Sequence, residues 1–587
     1  MSSNLVNNNF YNIRKIFVKP DSKIKEILTK QNLSLREDSI AGLVLVVDSD
    51  EKLLGVITDG DLRRAILKFQ NKDFNAKDIM TKNPIIFSDY LSYQEILQKI
   101  PYELRKRNRK SKKFLEKIII VNKNKQPIRV VDYFNIWEQK VASHRRICIV
   151  GLGYVGITLS LSLASKGYHV TGIENDNKKL NNFYKKKLPI HEIGLREIFY
   201  NNYKKNFFVE KKINKNKFDV YIIAVGTPVG NSKKVNLSYL KKSLIYVAKV
   251  LSHGDLVILR STVPVGTTRN IAKVILEKFS RLHAGVDFHL AFAPERTLEG
   301  DALKELNNLP QIIGAINKDS LEAASAIFRD LNSNIIKVDT LESAELAKLL
   351  NNCFRNFIFS FSNEMSAFAQ LYNLDINKII NAANAGYPRD KIPLPSPGVG
   401  GPCLTKDPYI LDASLKTNIY KNKKINIFAR NINDKSVDIL YNRIIKEIDY
   451  KKIKKNPKIV ICGLAFKGDP ETDDFRNSTS YFLAKKIRNR YKKVYIYDPI
   501  IKKTNIKKEK FIYEKFNNKN KFDVIILANN HKSFKKWNVN SIIKNKLNNN
   551  SIIVDCWSLF DYDSIITNKN ITYLNLSFKK KIIPKKK

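Results

Sequence analysis

A chain of 587 residues, 43% of them hydrophobic, is long enough for three or four domains with real cores, and it has no apolar run of membrane-spanning length. Its 104 Lys and Arg against 56 Asp and Glu leave a formal charge of +48. The lysines are scattered, as at Lys185, Lys186, Lys187, Lys451 and Lys452, among abundant Asn and Ile, so the charge reads as compositional drift rather than as a nucleic-acid or membrane patch.

The start, Met1 to Asn9, lacks a basic-then-apolar signal pattern, so a cytoplasmic protein is expected. Residues 1–142 read as a separate module. Leu43–Val47 is a predicted strand, Leu53–Asp61 a second strand with a turn, and Leu62–Leu67 a helix. The theme returns at Lys117–Val121 and Pro127–Asp132, an internal repeat. This pattern resembles a tandem pair of cystathionine-β-synthase (CBS) motifs, with Ile79–Pro84 similar to the start of a second motif. That resemblance implies an adenosine nucleotide held by Gly55, Thr58 and Asp61, which match Gly-x-x-Thr-x-x-Asp, with Thr on phosphate and Asp on ribose. The second copy carries Arg129, Asp132 and Asn135 instead and looks degenerate. Nucleotide sensing and a purely structural module both remain open.

Residues 143–340, opening at Ser143-His-Arg-Arg146, alternate strands and helices as in a parallel α/β sheet. Ile147–Val150 is a short buried strand, followed by Gly151-Leu-Gly153-Tyr-Val-Gly156, a helix through Ala164 and a second strand at His169–Ile173. Glycines in that setting let the backbone approach a pyrophosphate at a helix N-terminus. Glu174, 18 residues after Gly156, is placed to bind both ribose hydroxyls and to repel a 2′-phosphate. NAD is therefore expected over NADP, although Lys178 and Lys179 lie close by. The turns Ala224–Pro228 and Arg260–Thr267 lie at strand ends and together suggest a rim around the cofactor.

Residues 341–445 are expected to be mainly helical. On the predicted helix Leu341–Tyr372, Glu345, Lys348 and Asn352 share one face, which looks onto water or onto a polar site. The five cysteines have neither zinc nor disulfide spacing, which fits a reducing compartment and no metal site. Cys148 and Cys462 fall in strands, Cys353 in a helix and Cys556 just after a strand, all suited to burial. Cys403 sits in the glycine-rich stretch Gly398-Val399-Gly400-Gly401-Pro402-Cys403, near Lys406, which would favour a thiolate. From spacing alone it is a nucleophile or a small residue filling a turn. Residues 446–587 form a second α/β region with strands at 459–462, 494–497, 524–527 and 552–554, then a lysine-rich tail expected to be solvated.

Taken together, these segments resemble the UDP-glucose/GDP-mannose dehydrogenase family from about residue 145 to 565. The ordered series comprises 151–156, His191-Glu-Ile-Gly-Leu195, Val225–Pro228, Ser261–Gly266, Pro294-Glu-Arg296, Ala344–Lys348 with Asn352, Gly398–Cys403 with Lys406 and Asp407, Gly463-Leu-Ala-Phe-Lys467 and Arg476-Asn-Ser478. The resemblance implies an α/β fold of two Rossmann-like domains joined by a central helical segment and preceded here by a small α+β CBS-pair module. It also implies a four-electron, NAD-dependent oxidation of a nucleotide sugar's C6 alcohol to a uronate, for surface polysaccharide precursors.

In that scheme Cys403 is the covalent nucleophile. Lys348, Asn352 and Asp407 position substrate and water, Glu295 orients or activates the hydrolytic water, and Thr262 touches cofactor and water. Gly151, Gly153, Tyr154, Val155, Gly156, Glu174, Lys179, Thr227, Glu299 and Arg476 would contact NAD. Glu295, Arg296, Lys348, Asn352, Arg389, Gly398, Val399, Gly400, Gly401, Phe466 and Lys467 would contact the sugar nucleotide, with Arg389 acting across a homodimer interface made by the central helices. The positive field would attract the doubly negative substrate. Ile193 stands where the family has proline, and the CBS-like front end is foreign to the usual enzyme. Pro294-Glu295-Arg296 resembles members acting on UDP-N-acetylhexosamines, so UDP-N-acetylmannosamine or UDP-N-acetylglucosamine is favoured over UDP-glucose or GDP-mannose. A nucleotide-sensing scaffold with an inactive body is the rival of another class, opposed by the intact Cys403, Lys348, Asn352 and Asp407 set.

Overall fold

The computed structural model describes residues 13–34, 42–69, 74–91, 93–106, 117–132, 146–214, 218–372, 374–414, 424–516, 519–561, 565, 570–576 and 580–583. The junction expected at 142/143, Asn135 and the last four residues lie outside them. In the first module the hairpin Leu43–Val47/Leu53–Thr58 is repeated by Lys117–Val121/Pro127–Asp132, both antiparallel. Each belongs to its own small sheet, and Leu45 and Val56 of one share a buried apolar cluster with Ile119, Val121 and Val130 of the other. The helix expected from Leu62 begins at Asp59, because the Thr58 hydroxyl accepts from the Asp61 amide and caps it three residues earlier.

The second unit holds an eight-stranded sheet. From one edge the order is Phe207–Glu210, His169–Ile173, Arg146–Val150, Val220–Ile223, Leu256–Leu259, His289–Phe292, Gln311–Ala315, Ile335–Lys337. The first six run parallel, and Gln311–Ala315 is antiparallel to His289–Phe292. Helices cover both faces, so the central strands are uninterrupted apolar runs, with Ile147, Ile149, Val220, Ile222, Leu256 and Ile258 fully buried. Register pairs Ile173, Val150, Ile223, Leu259 and Phe292 across the sheet, which lines up Glu174, Gly151, Ala224, Arg260 and Ala293 at one carboxyl edge. Strand order reverses around Arg146–Val150, the place where open α/β sheets take ligands.

The last unit repeats the plan with seven strands: Ile512–Tyr513, Val494–Tyr497, Ile459–Cys462, Phe522–Leu527, Leu547–Asp555, Asn570–Asn575 and an antiparallel Lys580–Ile583. Between the sheets lie the 31-residue helix Leu341–Leu371 and the 26-residue helix Ile425–Tyr450, which continues past residue 445. A buried polar seam joins them. Arg430 donates to the Asn356 side-chain oxygen (3.1 Å), Asn433 to the Asn356 carbonyl (3.0 Å), and Asn363 to Asn433 (2.9 Å). These bonds across the seam fix one register between two long helices.

Candidate active site

The glycine turn after Arg146–Val150 is built for close backbone approach. Gly151 has φ +97°, and a Cβ on Gly156 would lie 1.8 Å from the Gly151 carbonyl oxygen, so neither tolerates a side chain. A Cβ on Gly153 would meet nothing within 4 Å. This glycine opens the helix Tyr154–Ser165, leaving room for a diphosphate at the N-terminal amides. Glu174 is buried at the end of the next strand and pairs with Lys179 at 3.3 Å. The two expected rim turns are tied together, since Thr227 Oγ1 donates to the Thr262 carbonyl (2.6 Å) and Ser261 Oγ to the Val225 carbonyl (2.7 Å). A dinucleotide thus fits this edge.

Cys403 lies in a tight turn where the Lys406 and Asp407 amides donate to its carbonyl (3.0 and 2.9 Å). It is the exposed member of the five free cysteines; the other four are buried, as their positions led one to expect. The fully buried Asp407 accepts from Asn352 Nδ2 (2.6 Å) and from Lys406 Nζ (3.0 Å). The central helix therefore brings Asn352, and with it Lys348 one turn earlier, to the cysteine turn. Desolvation by the surrounding protein pushes the Cys403 thiol up. Asp407 and Glu299 add to the rise, while Lys348 and Lys406 oppose it. Lys406 thus acts in the expected direction, but burial and Asp407 outweigh it and the net direction is upward.

The polar stripe on the central helix divides. Glu345, expected beside Lys348 and Asn352, instead accepts from the Gly266 amide (2.5 Å) and from the Thr268 amide and hydroxyl (2.8 and 2.6 Å). Glu295 is clamped by Arg260, whose Nη2 and Nε lie 2.6 and 3.2 Å from Oε2, while Oε1 accepts the Arg296 and Thr297 amides, both at 2.8 Å. Burial works to raise this carboxyl, but Arg260, the Thr297 amide and Lys348 prevail and hold it below the usual carboxylate range. Arg260, itself fully buried, also donates to the Ala293 carbonyl and to Gln311 (3.0 and 3.1 Å). The sequence placed it in the rim turn without a role of its own. The signal was a lone arginine directly after four apolar strand residues, a charge that must find a buried partner.

A second group joins the two sheet domains. Arg476 pairs with Asp474 and approaches Glu299 at 3.9 Å, and Lys467 Nζ donates to the Glu299 carbonyl. Burial and Asp474 push the Glu299 carboxyl up to about 7, and burial lowers Lys467 to about 8. Tyr154 donates to Glu192, and the Gly300 amide donates to both (2.8 Å each), so the His191–Leu195 segment braces the dinucleotide helix. The glycines at 398–401 are required by protein, not only by any ligand. A Cβ on Gly398 would meet the Asn433 carbonyl at 2.4 Å, on Gly400 the Asn477 carbonyl at 2.5 Å, and on Gly401 the Phe466 ring at 2.6 Å. Val399 sits half-buried in this loop, and Arg296 is half-buried beside Glu295. Arg389 is not brought into this group; it is exposed and bonds Tyr387 (3.2 Å).

In the first module, Thr58 and Asp61 are engaged with each other. Asp61 Oδ2 accepts from the Thr58 amide and hydroxyl (2.9 and 2.7 Å), and Arg64 pairs with Oδ1 at 2.6 Å. A helix cap thus accounts for the Thr-x-x-Asp spacing, and a ribose there would compete with it. Gly55 is needed because a Cβ would meet Met80 Sδ at 2.7 Å. Among the described residues there is no cluster of His, Cys, Asp and Glu able to hold a metal, and no helix long and apolar enough to cross a membrane.

Comparison with known proteins agrees with this geometry. Residues 145–332 match the NAD-binding domain of the UDP-glucose/GDP-mannose dehydrogenase family, 342–435 its central domain, 460–562 its UDP-binding domain, and 4–68 a CBS domain. The chain is 34% identical over 415 residues to the UDP-N-acetyl-D-mannosamine dehydrogenase of Pyrococcus horikoshii, covering 70% of this chain and 94% of that one. It is 32% identical over 373 residues to the enzyme of the same name from Campylobacter jejuni, covering 62% and 88%. The solved structure of UDP-D-ManNAc dehydrogenase from Pyrococcus horikoshii superposes with a TM-score of 0.66 at 30% identity, over 74% of this chain and 99% of that one. With its NAD edge, its UDP-binding domain and its bridging helices, the chain belongs to the UDP-glucose/GDP-mannose dehydrogenase family, as an NAD-dependent nucleotide-sugar oxidoreductase with a CBS domain before its catalytic body.

Proposed function

We propose that the protein oxidises the C6 alcohol of a UDP-N-acetylhexosamine, UDP-N-acetylmannosamine first, to the uronate through a covalent adduct of Cys403. The observation that carries this is the exposed Cys403 set against the Asn352–Asp407 bond and Lys348, between the NAD edge and the UDP-binding domain. The sugar follows from the relatives named above and from Pro294-Glu295-Arg296.

NAD⁺, which the Gly151–Gly156 turn and the rim of Thr227 and Thr262 would hold, would supply the hydride acceptor, one NAD⁺ for each of two successive oxidations at C6. Asp407, held by Asn352 and Lys406, positions the hydroxyl and an ordered water that takes its proton. An aldehyde carries no alcohol-type hydride donor, so Cys403 Sγ bonds to C6 as the C=O π bond opens, and the thiol proton passes to the aldehyde oxygen, giving a thiohemiacetal. The Lys348 ammonium and the second N–H of Asn352 stabilise the oxygen of that adduct. After the second oxidation the thioester is cleaved by water, which restores the thiol and releases the carboxylate. Glu295 is held ionised by Arg260 and the Thr297 amide, so of the two roles expected for it, orienting water suits it better than taking a proton. A precursor role in surface polysaccharide synthesis is consistent with such a product.

The functional unit is a homodimer. Leu350, Phe354, Phe357, Phe361 and Phe368 are exposed at helical spacing on the central helix, an apolar stripe that a second copy would cover. The reading is tested by offering NAD⁺ with UDP-N-acetylmannosamine, UDP-N-acetylglucosamine, UDP-glucose or GDP-mannose in turn and following NADH absorbance. UDP-N-acetylmannosamine is expected to have the highest kcat/KM; preference for UDP-glucose or GDP-mannose overturns the substrate assignment.

A further inference from the structure

We propose that Glu345 is a positioning residue for NAD⁺. From the central helix, one turn before Lys348, it holds loop 261–268 so that the rim formed by Thr262 and Thr227 stays in register with Lys348 and Asn352. This rests on the reading that the rim lines the NAD site.

The carboxylate is 1% exposed and takes three donors from one short stretch: the Gly266 amide, the Thr268 amide and the Thr268 hydroxyl. Those amides begin the helical run that starts at Thr268, where a negative charge is favoured. The loop is also held from its other side, since the Val265 amide donates to Ser414 Oγ (2.8 Å) just beyond the helix Asp407–Asp412. The NAD rim is therefore suspended between the two helices that carry Lys348, Asn352 and Asp407. Thr262 passes the restraint to Thr227 through the 2.6 Å bond at its carbonyl. Gly266 has φ +88°, a conformation that gives the loop no stiffness of its own.

Two charged groups face Glu345: Glu342 on its own helix, and Arg269 on the helical run after the loop, which pairs with Glu342 (2.7 and 3.2 Å). Burial, despite the three donors, pushes Glu345 up to about 7. Protonation removes charge and an acceptor from the amides, so the latch loosens as pH falls through neutrality.

The experiment is NAD⁺ binding by calorimetry on the full chain without sugar, with UDP as the probe for the other domain. Glu345→Gln places an amide N–H against the backbone donors. It and Glu345→Ala are expected to raise the NAD⁺ Kd about tenfold at about pH 8, with UDP affinity unchanged. In the unaltered chain the NAD⁺ Kd should rise between about pH 8 and about pH 6 toward the Glu345→Gln value, which stays flat. Glu342→Gln, which removes charge but no acceptor from the loop, serves as the control and should move the Kd much less. A general structural role would weaken NAD⁺ and UDP binding together and produce no such pH dependence; that result, or a Glu345→Gln Kd equal to that of the unaltered chain, overturns the proposal. If Glu345→Ala does not fold, Glu345→Gln and the pH series decide. Turnover is not needed. A chain that binds NAD⁺ with this pattern yet oxidises no sugar refutes the proposed function alone, and a chain that binds no NAD⁺ refutes both.

Discussion

Replacing Arg260 by Met keeps the volume and removes the charge that balances Glu295. Arg260 is fully buried, sits 2.6 Å from the Glu295 carboxylate, and lies over the Phe328 ring at 5.1 Å. Removing one partner of such a buried pair costs about 3–5 kcal/mol, because the remaining carboxylate is desolvated and uncompensated. With Arg260 present, the folded carboxyl lies below its unfolded value; its contribution is present above the ordinary carboxylate range and lost as pH falls below it. With Arg260 gone, burial dominates and the sign reverses, so the variant loses stability as pH rises above about 4.5. The double variant Arg260→Met/Glu295→Gln removes the stranded charge and should recover about 2 kcal/mol. Urea denaturation midpoints of the unaltered chain, Arg260→Met, Glu295→Gln and the double variant at two pH values measure this cycle. A single variant within about 1 kcal/mol of the unaltered chain, or no recovery in the double variant, would refute the reasoning.

Native alkylation with iodoacetamide, read by peptide mass spectrometry, should label Cys403 before Cys148, Cys353, Cys462 or Cys556; its raised thiol makes the rate climb as pH increases beyond the ordinary thiol range. Glu174→Ala should weaken NAD⁺ binding by about tenfold and narrow the preference over NADP⁺, seen in paired KM measurements. Phe354→Glu with Phe361→Glu puts charge on the exposed stripe and should convert a dimer to monomers in light scattering, with little change in folding, because both side chains face outward.

Much of the fold was legible because its strands are short apolar runs with strong punctuation. Gly151 ends one such run, Gly-Thr-Pro another and Arg260 a third, and the sheet registers them side by side. The helix Leu341–Leu371 was readable from its polar stripe, but which pole each residue faces was not: Glu345 turns to the NAD loop while Asn352 turns to Asp407, a choice made by the neighbouring domain. The glycine loop at 398–401 drew attention for ligand approach. Its tightest requirement comes from Asn433, Asn477 and Phe466, all distant in sequence. Of the seam, Glu299, Lys467 and Arg476 were visible only as scattered residues of a family pattern and Asp474 was not singled out, because charges that meet across domains leave no local periodicity.

The central claim is a two-step oxidation through Cys403, and the most direct test is the stoichiometry of NADH to sugar in a reaction run to completion with limiting UDP-N-acetylmannosamine. The account predicts two NADH per sugar and a uronate product, with turnover lost in Cys403→Ser. One NADH per sugar with an aldehyde product, or full four-electron turnover by Cys403→Ser, would contradict it.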